Sequence, residues 1–159
     1  MPRSFRSLAV IVALTGLTAA RPIQGQASAA PTTVSRDAFR SLAWLNGKWK
    51  GSGGGYAAFY EEYRVVNDST IEQYEHPDST FSSTRPRSRI TWRNGSAAKG
   101  SSERIDARIV RIAGDTVRFE STRSGGGGFT WIRLSRDEWR AILDGRTAPV
   151  IYTLRRYPT

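Results

Sequence analysis

The stretch Ser35-Arg36-Asp37-Ala38-Phe39-Arg40-Ser41-Leu42-Ala43-Trp44-Leu45-Asn46-Gly47-Lys48-Trp49-Lys50-Gly51 decides the fold. Phe39, Leu42 and Leu45 recur at three-residue steps, flanked by Ala38 and Ala43, so they form one apolar stripe on a short helix. Ser35 is a natural N-cap, and Asp37 lies in the first turn, where the helix dipole favours negative charge. Asn46-Gly47 ends the helix, because glycine accepts the left-handed backbone that a helix end needs. Trp49 then opens the first strand of an all-β domain.

Towards the C-terminus no stretch carries a helical period. Period-two segments recur instead, with turn signals between them. Strands are expected at Lys48–Ser52, Tyr56–Val66, Thr70–His76, Arg87–Arg93, somewhere within Ala97–Ile112, then Thr116–Thr122, Phe129–Leu134, Trp139–Leu143 and Val150–Tyr157. Thr80–Ser83 reads as a short edge piece before Pro86, which cannot donate to a ladder. Asn94-Gly95 is the strongest hairpin signal. About eight to ten short strands in consecutive hairpins predict an up-and-down antiparallel β-barrel with one short N-terminal helix. Closure also removes exposed edges, which a disulfide-free chain needs. The bulk expected inside is Phe59, Tyr63, Ile90, Trp92, Ile105, Phe119, Trp139 and Leu154.

Towards the N-terminus, Arg3 and Arg6 precede an uncharged, mostly apolar run, Leu8 to Ala20, short for a membrane span of roughly 20 residues. Ala20 and Ala27 each fit a signal-peptidase cut, and Ala27 is preferred because Pro22 would sit awkwardly just after a cut at Ala20. Residues 1–27 therefore read as a signal peptide, residues 28–34 as a linker, and residues 35–159 as the barrel domain. This predicts an exported protein, periplasmic or extracellular, soluble after cleavage and without a later transmembrane segment. The chain has no cysteine, which excludes disulfides, thiol catalysis, thiolate metal sites and an acylated-cysteine anchor.

The formal net charge is +10, and arginine outnumbers lysine 21 to 3. The cations are spread along the chain, as on a solvated surface. Arg85, Arg87, Arg89 and Arg93 do share one strand face, but Trp92 points the other way. Stacked bases would need the aromatic among the cations, so nucleic acid is not expected as a partner.

The single histidine, His76, excludes a metal site built on several histidines and leaves any Ser-His-Asp triad one candidate at a strand end. Glu61 and Glu62 are strand neighbours and face opposite sides. If Phe59, Tyr63 and Val65 point inward, so does Glu61, and a buried carboxylate needs a partner. Arg133, on the face shared by Phe129 and Trp131, is a candidate, and the pair would serve either as a structural ion pair closing the barrel or as a polar anchor for a ligand. A strand bulge would give Glu62 the role instead. The glycine runs Gly53–Gly55 and Gly125–Gly128 neither open a helix nor precede Lys-Ser/Thr, so they read as strand connections at a barrel mouth, not as phosphate loops.

The segment Leu42 to Trp49 resembles the opening of lipocalin-like calycin barrels, which begin with a short helix and then Gly-x-Trp, here Gly47-Lys48-Trp49. That family carries a late arginine stacked over the tryptophan. In Tyr152-Thr153-Leu154-Arg155-Arg156 the resemblance implies that Arg155 or Arg156 does this, with Trp49 and Arg155 taken as the structural closure. Trp44-Leu45-x-Gly-x-Trp-x-Gly followed by Tyr60-Glu61-Glu62-Tyr63 also resembles small exported bacterial proteins of unknown function in that superfamily. Nitrobindin-like haem barrels open similarly but ligate iron through a late histidine. Here the one histidine is early and beside Pro77, so no cofactor is expected.

The function expected is non-catalytic binding of a small apolar or amphipathic ligand. Phe59, Tyr63, Trp92, Phe119, Trp131 and Tyr152 are expected to line the cup, with Glu61 and Arg133 orienting the ligand. Two other readings share the barrel. One is an enzyme using a buried glutamate for proton transfer; the other is a cationic module docking on anionic envelope surfaces.

Overall fold

The computed structural model describes residues 33–158; the expected signal peptide and nearly all of the linker lie outside the described residues. The leading segment starts as α1, Arg36–Arg40, capped by Ser35, whose Oγ accepts the Ala38 N–H at 3.1 Å. It then tightens into a 3-10 turn, Ser41–Leu45. The three-residue spacing explains this, since a 3-10 helix eclipses residues i and i+3. Leu42 and Leu45 thereby stay on one line, and both are fully buried.

Ten strands follow: β1 Gly47–Gly53, β2 Tyr56–Asn67, β3 Thr70–His76, β4 Ser88–Arg93, β5 Ser96–Gly100, β6 Ile105–Ala113, β7 Thr116–Ser121, β8 Phe129–Arg133, β9 Glu138–Leu143 and β10 Val150–Arg156. Each pairs antiparallel with its neighbour in sequence, and β1 pairs with β10, so the barrel is closed and up-and-down. Among the described residues every strand therefore has a partner on both sides, which removes open sheet edges.

Three expectations are corrected. The segment 97–112 is two strands, β5 and β6, joined by residues 101–104. The turn begins at Gly100, where a side chain would collide with the Arg104 carbonyl oxygen. Thr80–Ser83 is no strand; residues 77–87 form a loop whose Phe81 packs on the outer face against His76 and Tyr157 at ring distances of 4.8 and 5.2 Å. Ile105 does not face the core: it starts β6 beside a register shift and is 47% exposed.

One barrel end is closed by the leading segment. The Trp49 indole N–H donates to the Leu45 carbonyl at 2.7 Å, and the Trp92 indole N–H to the Val34 carbonyl at 2.7 Å. The Val34 N–H reaches the Gly95 carbonyl at 2.8 Å, tying this segment to the β4–β5 hairpin. Closure falls to Arg156, not Arg155. The register Trp49↔Arg156 puts these two on one face, and the guanidinium carbon lies 4.3 Å from the Trp49 ring centroid. Arg155, one residue earlier, faces outward to Glu138 at 3.0 Å.

Candidate functional site

Strand alternation from the closed end upward builds a cavity of about 610 Å³ that opens opposite the helix. Its mouth is ringed by the β1–β2, β3–β4, β5–β6, β7–β8 and β9–β10 connections, which include both glycine runs. One wall is apolar: Phe59, Phe129, Trp131, Trp139, Leu143 and Tyr152. Edge-on contacts hold these rings, with Phe59 5.6 Å from Tyr152 and Tyr63 5.8 Å from Trp131. The indole N–H of Trp139 is buried without an acceptor among the described residues. A buried orphan donor costs about 1–3 kcal/mol.

The facing wall is polar and comes from β2, β3 and β5, with Ser88 of β4 bonded behind it. Cross-strand pairing sets Tyr63 opposite Gln73, and Gln73 opposite Ser88. The Tyr63 hydroxyl donates to Glu61 Oε2 at 2.8 Å. Lys99 Nζ donates to Ser88 Oγ at 2.7 Å, and that hydroxyl donates to Gln73 Oε1 at 2.6 Å. Gln73 also lies close enough to Glu61 to oppose slightly the upward shift of its pKa. Glu61, Tyr63, Gln73 and Lys99 all line the cavity.

Burial dominates the proton affinities here. It raises the Glu61 pKa above the usual carboxylate value, opposed by the Tyr63 hydrogen bond and the Lys99 charge. It lowers the Lys99 pKa, opposed by Glu61, Glu75 and Asp106. Burial, reinforced by Glu61, lifts the Tyr63 phenol well above its usual range, so Tyr63 remains a donor. Both burial shifts push the Glu61–Lys99 pair towards its neutral form, carboxylic acid and amine.

Of the residues expected in the cup, Phe59, Glu61, Tyr63, Trp131 and Tyr152 line it. Arg133 does not partner Glu61. It lies toward the helix end, where Nε donates to the Ser135 carbonyl at 3.1 Å and Nη1 is 4.0 Å from Asp115. Trp92 also sits at that end, bonded to Val34 with the Arg36 guanidinium 5.7 Å from its ring centroid. Phe119 is fully buried behind the lining, stacked on Phe129 at 4.3 Å. Glu62 takes the outer face, bound by Arg64 at 2.8 Å. Sequence reasoning missed Lys99, Gln73 and Ser88. The signal for Lys99 was Gly100-Ser101-Ser102, a turn that divides a segment too long for one barrel strand. Among the described residues no three histidine, aspartate or glutamate side chains gather as a metal site.

The fold and this site define a closed ten-strand antiparallel barrel with an open, two-sided cavity. No protein-family model and no curated protein matches the chain. Among solved structures it is similar to a redesigned β-barrel, with 11% identity over 75% of this chain and 96% of that one, at a TM-score of 0.38.

Proposed function

We propose that this protein is an exported, lipocalin-like barrel that binds a small apolar or amphipathic molecule in its cavity. The observation that carries the reading is the open cavity of about 610 Å³ with an aromatic wall facing a polar cluster. Its volume falls within the roughly 300–1,000 Å³ usual for small-molecule sites. The rings supply apolar area, while Glu61, Gln73 and Lys99 give a polar end to the same space. The short helix, the Gly47-Lys48-Trp49 opening and the Arg156 lid over Trp49 support the calycin likeness. Export rests on the charge and apolar pattern of residues 1–27.

Native mass spectrometry of protein purified from its own envelope tests the reading, together with titration of an environment-sensitive apolar dye. A co-purified molecule, or saturable dye binding weakened by Trp131→Ala, supports it. Absence of both overturns it. The enzymatic alternative keeps one specific observation, the half-buried Glu61 carboxyl in the cavity wall, which has no arginine ion pair among the described residues.

A further inference from the structure

We propose that Lys99 is the attachment point for a carbonyl-bearing apolar ligand, which it holds as a reversible imine. The inference rests on the binding function above and names the chemical class the cavity takes: an aldehyde or ketone on an apolar body.

Position comes first. Lys99 lines the cavity, with Ile90 and Ala107 as its cross-strand neighbours on β4 and β6. Its Nζ makes one hydrogen bond, to Ser88, and no ion pair within 4.0 Å among the described residues. The other two lysines lie elsewhere: Lys48 Nζ is 4.8 Å from the Phe81 ring centroid and Lys50 Nζ 6.0 Å from that of Tyr60.

Residue type is the second argument. The chain uses arginine for nearly all its cations, 21 against 3 lysines, yet a lysine stands in the cavity. A guanidinium stays protonated and is not a nucleophile, whereas an ammonium can lose its proton when desolvated. Burial acts on Lys99 in that direction, although Glu61, Glu75 and Asp106 oppose it.

The third is the neighbouring acid. Glu61 lines the same cavity, and its carboxyl holds its proton more firmly than an exposed one. The Lys99 amine adds its lone pair to the carbonyl carbon, and the carbonyl oxygen takes the Glu61 proton. Glu61 then removes a proton from the nitrogen to leave the neutral carbinolamine. Returned to the hydroxyl, that proton lets water depart as the nitrogen lone pair forms the C=N bond. The iminium gives its remaining proton back to Glu61. Amine and carbonyl become imine and water, and no oxidant or reductant is consumed.

The test treats the full chain with decanal and sodium cyanoborohydride, and measures 1-decanol binding separately as the control that cannot form an imine. The expected result is an intact mass raised by one decanal less its oxygen, with peptide mapping placing the adduct on Lys99. Lys99→Met and Lys99→Arg should lose this adduct while the slow background on Lys48, Lys50 and the α-amine stays as it was. Glu61→Gln should slow trapping by about tenfold or more. Because mapping the unmodified sequence decides the matter, a variant that fails to fold does not block the test. Equal labelling of all three lysines, or decanol binding without an adduct on Lys99, overturns the imine and leaves the binding function standing. If neither compound binds, both fall.

Discussion

The Arg156 guanidinium lies over the Trp49 indole and binds three backbone carbonyls at once. Its Nη1 donates to Asn46 at 3.0 Å, and its Nη2 donates to Arg136 at 3.1 Å and Trp44 at 3.4 Å. Its Nε donates to Asp137 Oδ1 at 3.0 Å. One side chain thus joins the first strand, the last strand, the leading segment and the β8–β9 turn. Gly47 makes room for it: its φ is +126°, and a Cβ there would collide with the guanidinium.

Arg156→Ala should therefore destabilise the barrel by about 2 kcal/mol, because three carbonyls lose one charged donor and buried Trp49 loses its stacking contact. Arg155→Ala removes an exposed ion pair and should fall within about 0.5 kcal/mol of the parent. Urea unfolding followed by tryptophan fluorescence compares the two directly. Equal losses would show that the stack over Trp49 is not what holds the seam.

Gly51 in β1 lies under the Phe59 ring, its cross-strand partner, and a Cβ there would overlap the ring tip. Its backbone is ordinary extended strand, so alanine adds steric bulk without backbone strain. Gly51→Ala should push the Phe59 ring into the cavity, weakening apolar dye binding several-fold while the unfolding midpoint changes little. Unchanged dye affinity would mean that Phe59 does not border the occupied space.

The barrel was legible because alternation and hairpin signals are local, and they carry through to closure. Glu61 was legible as an inward residue for the same reason, standing between Phe59 and Tyr63. Which face a residue takes follows from its own strand; how deep it sits does not. Arg133 shares a face with Trp131, yet it lies one pleat further toward the helix end and meets Asp115 instead of Glu61. Depth depends on register against both neighbours, and register shifts at β1–β2, β2–β3, β5–β6 and β6–β7 leave no mark in a single strand. Arg155 and Arg156 were separable only once Trp49 had a partner. Lys99 was hidden because a turn without proline or Asn-Gly divides β5 from β6.

At the mouth, Arg118 and Asp144 form a two-pronged ion pair, with Nη1 2.9 Å from Oδ1. Asp144 Oδ2 also accepts the Gly128 N–H at 3.1 Å, so one carboxylate anchors the end of the glycine-rich β7–β8 connection. These bonds hold the Asp144 pKa below its usual value. Asp144→Asn weakens both contacts and should speed tryptic cleavage after Arg123, the arginine inside that connection, with the rest of the barrel intact. An unchanged cleavage rate would locate the restraint elsewhere.

His76 is shielded from solvent on the outer face, where its Nδ1 accepts the Ser83 N–H at 3.1 Å. The ring proton therefore sits on Nε2, facing Glu62 Oε2 at 3.5 Å, too poorly aligned for a hydrogen bond. Protonating Nδ1 would turn an acceptor into a donor pointed at another donor, releasing the loop over residues 77–87. Burial lowers the His76 pKa below 6.5; Glu62 opposes the shift, and Arg64 and Lys48 reinforce it. The unfolded chain thus binds this proton first, so stability should decline as pH falls through about 6.5 toward the folded value. Glu62, held below 4.5, acts in the same direction but at lower pH. Glu61, raised above 4.5, acts oppositely: the folded state takes up its proton first, so its protonation favours folding as pH falls. The difference between the parent and His76→Gln isolates the histidine. From about pH 7 to about pH 5 the parent should lose stability more steeply than the variant. Protection of the Ser83 amide, corrected for intrinsic exchange, should fall over the same range only in the parent. Parallel stability curves would remove His76 as the titrating fastener of the loop.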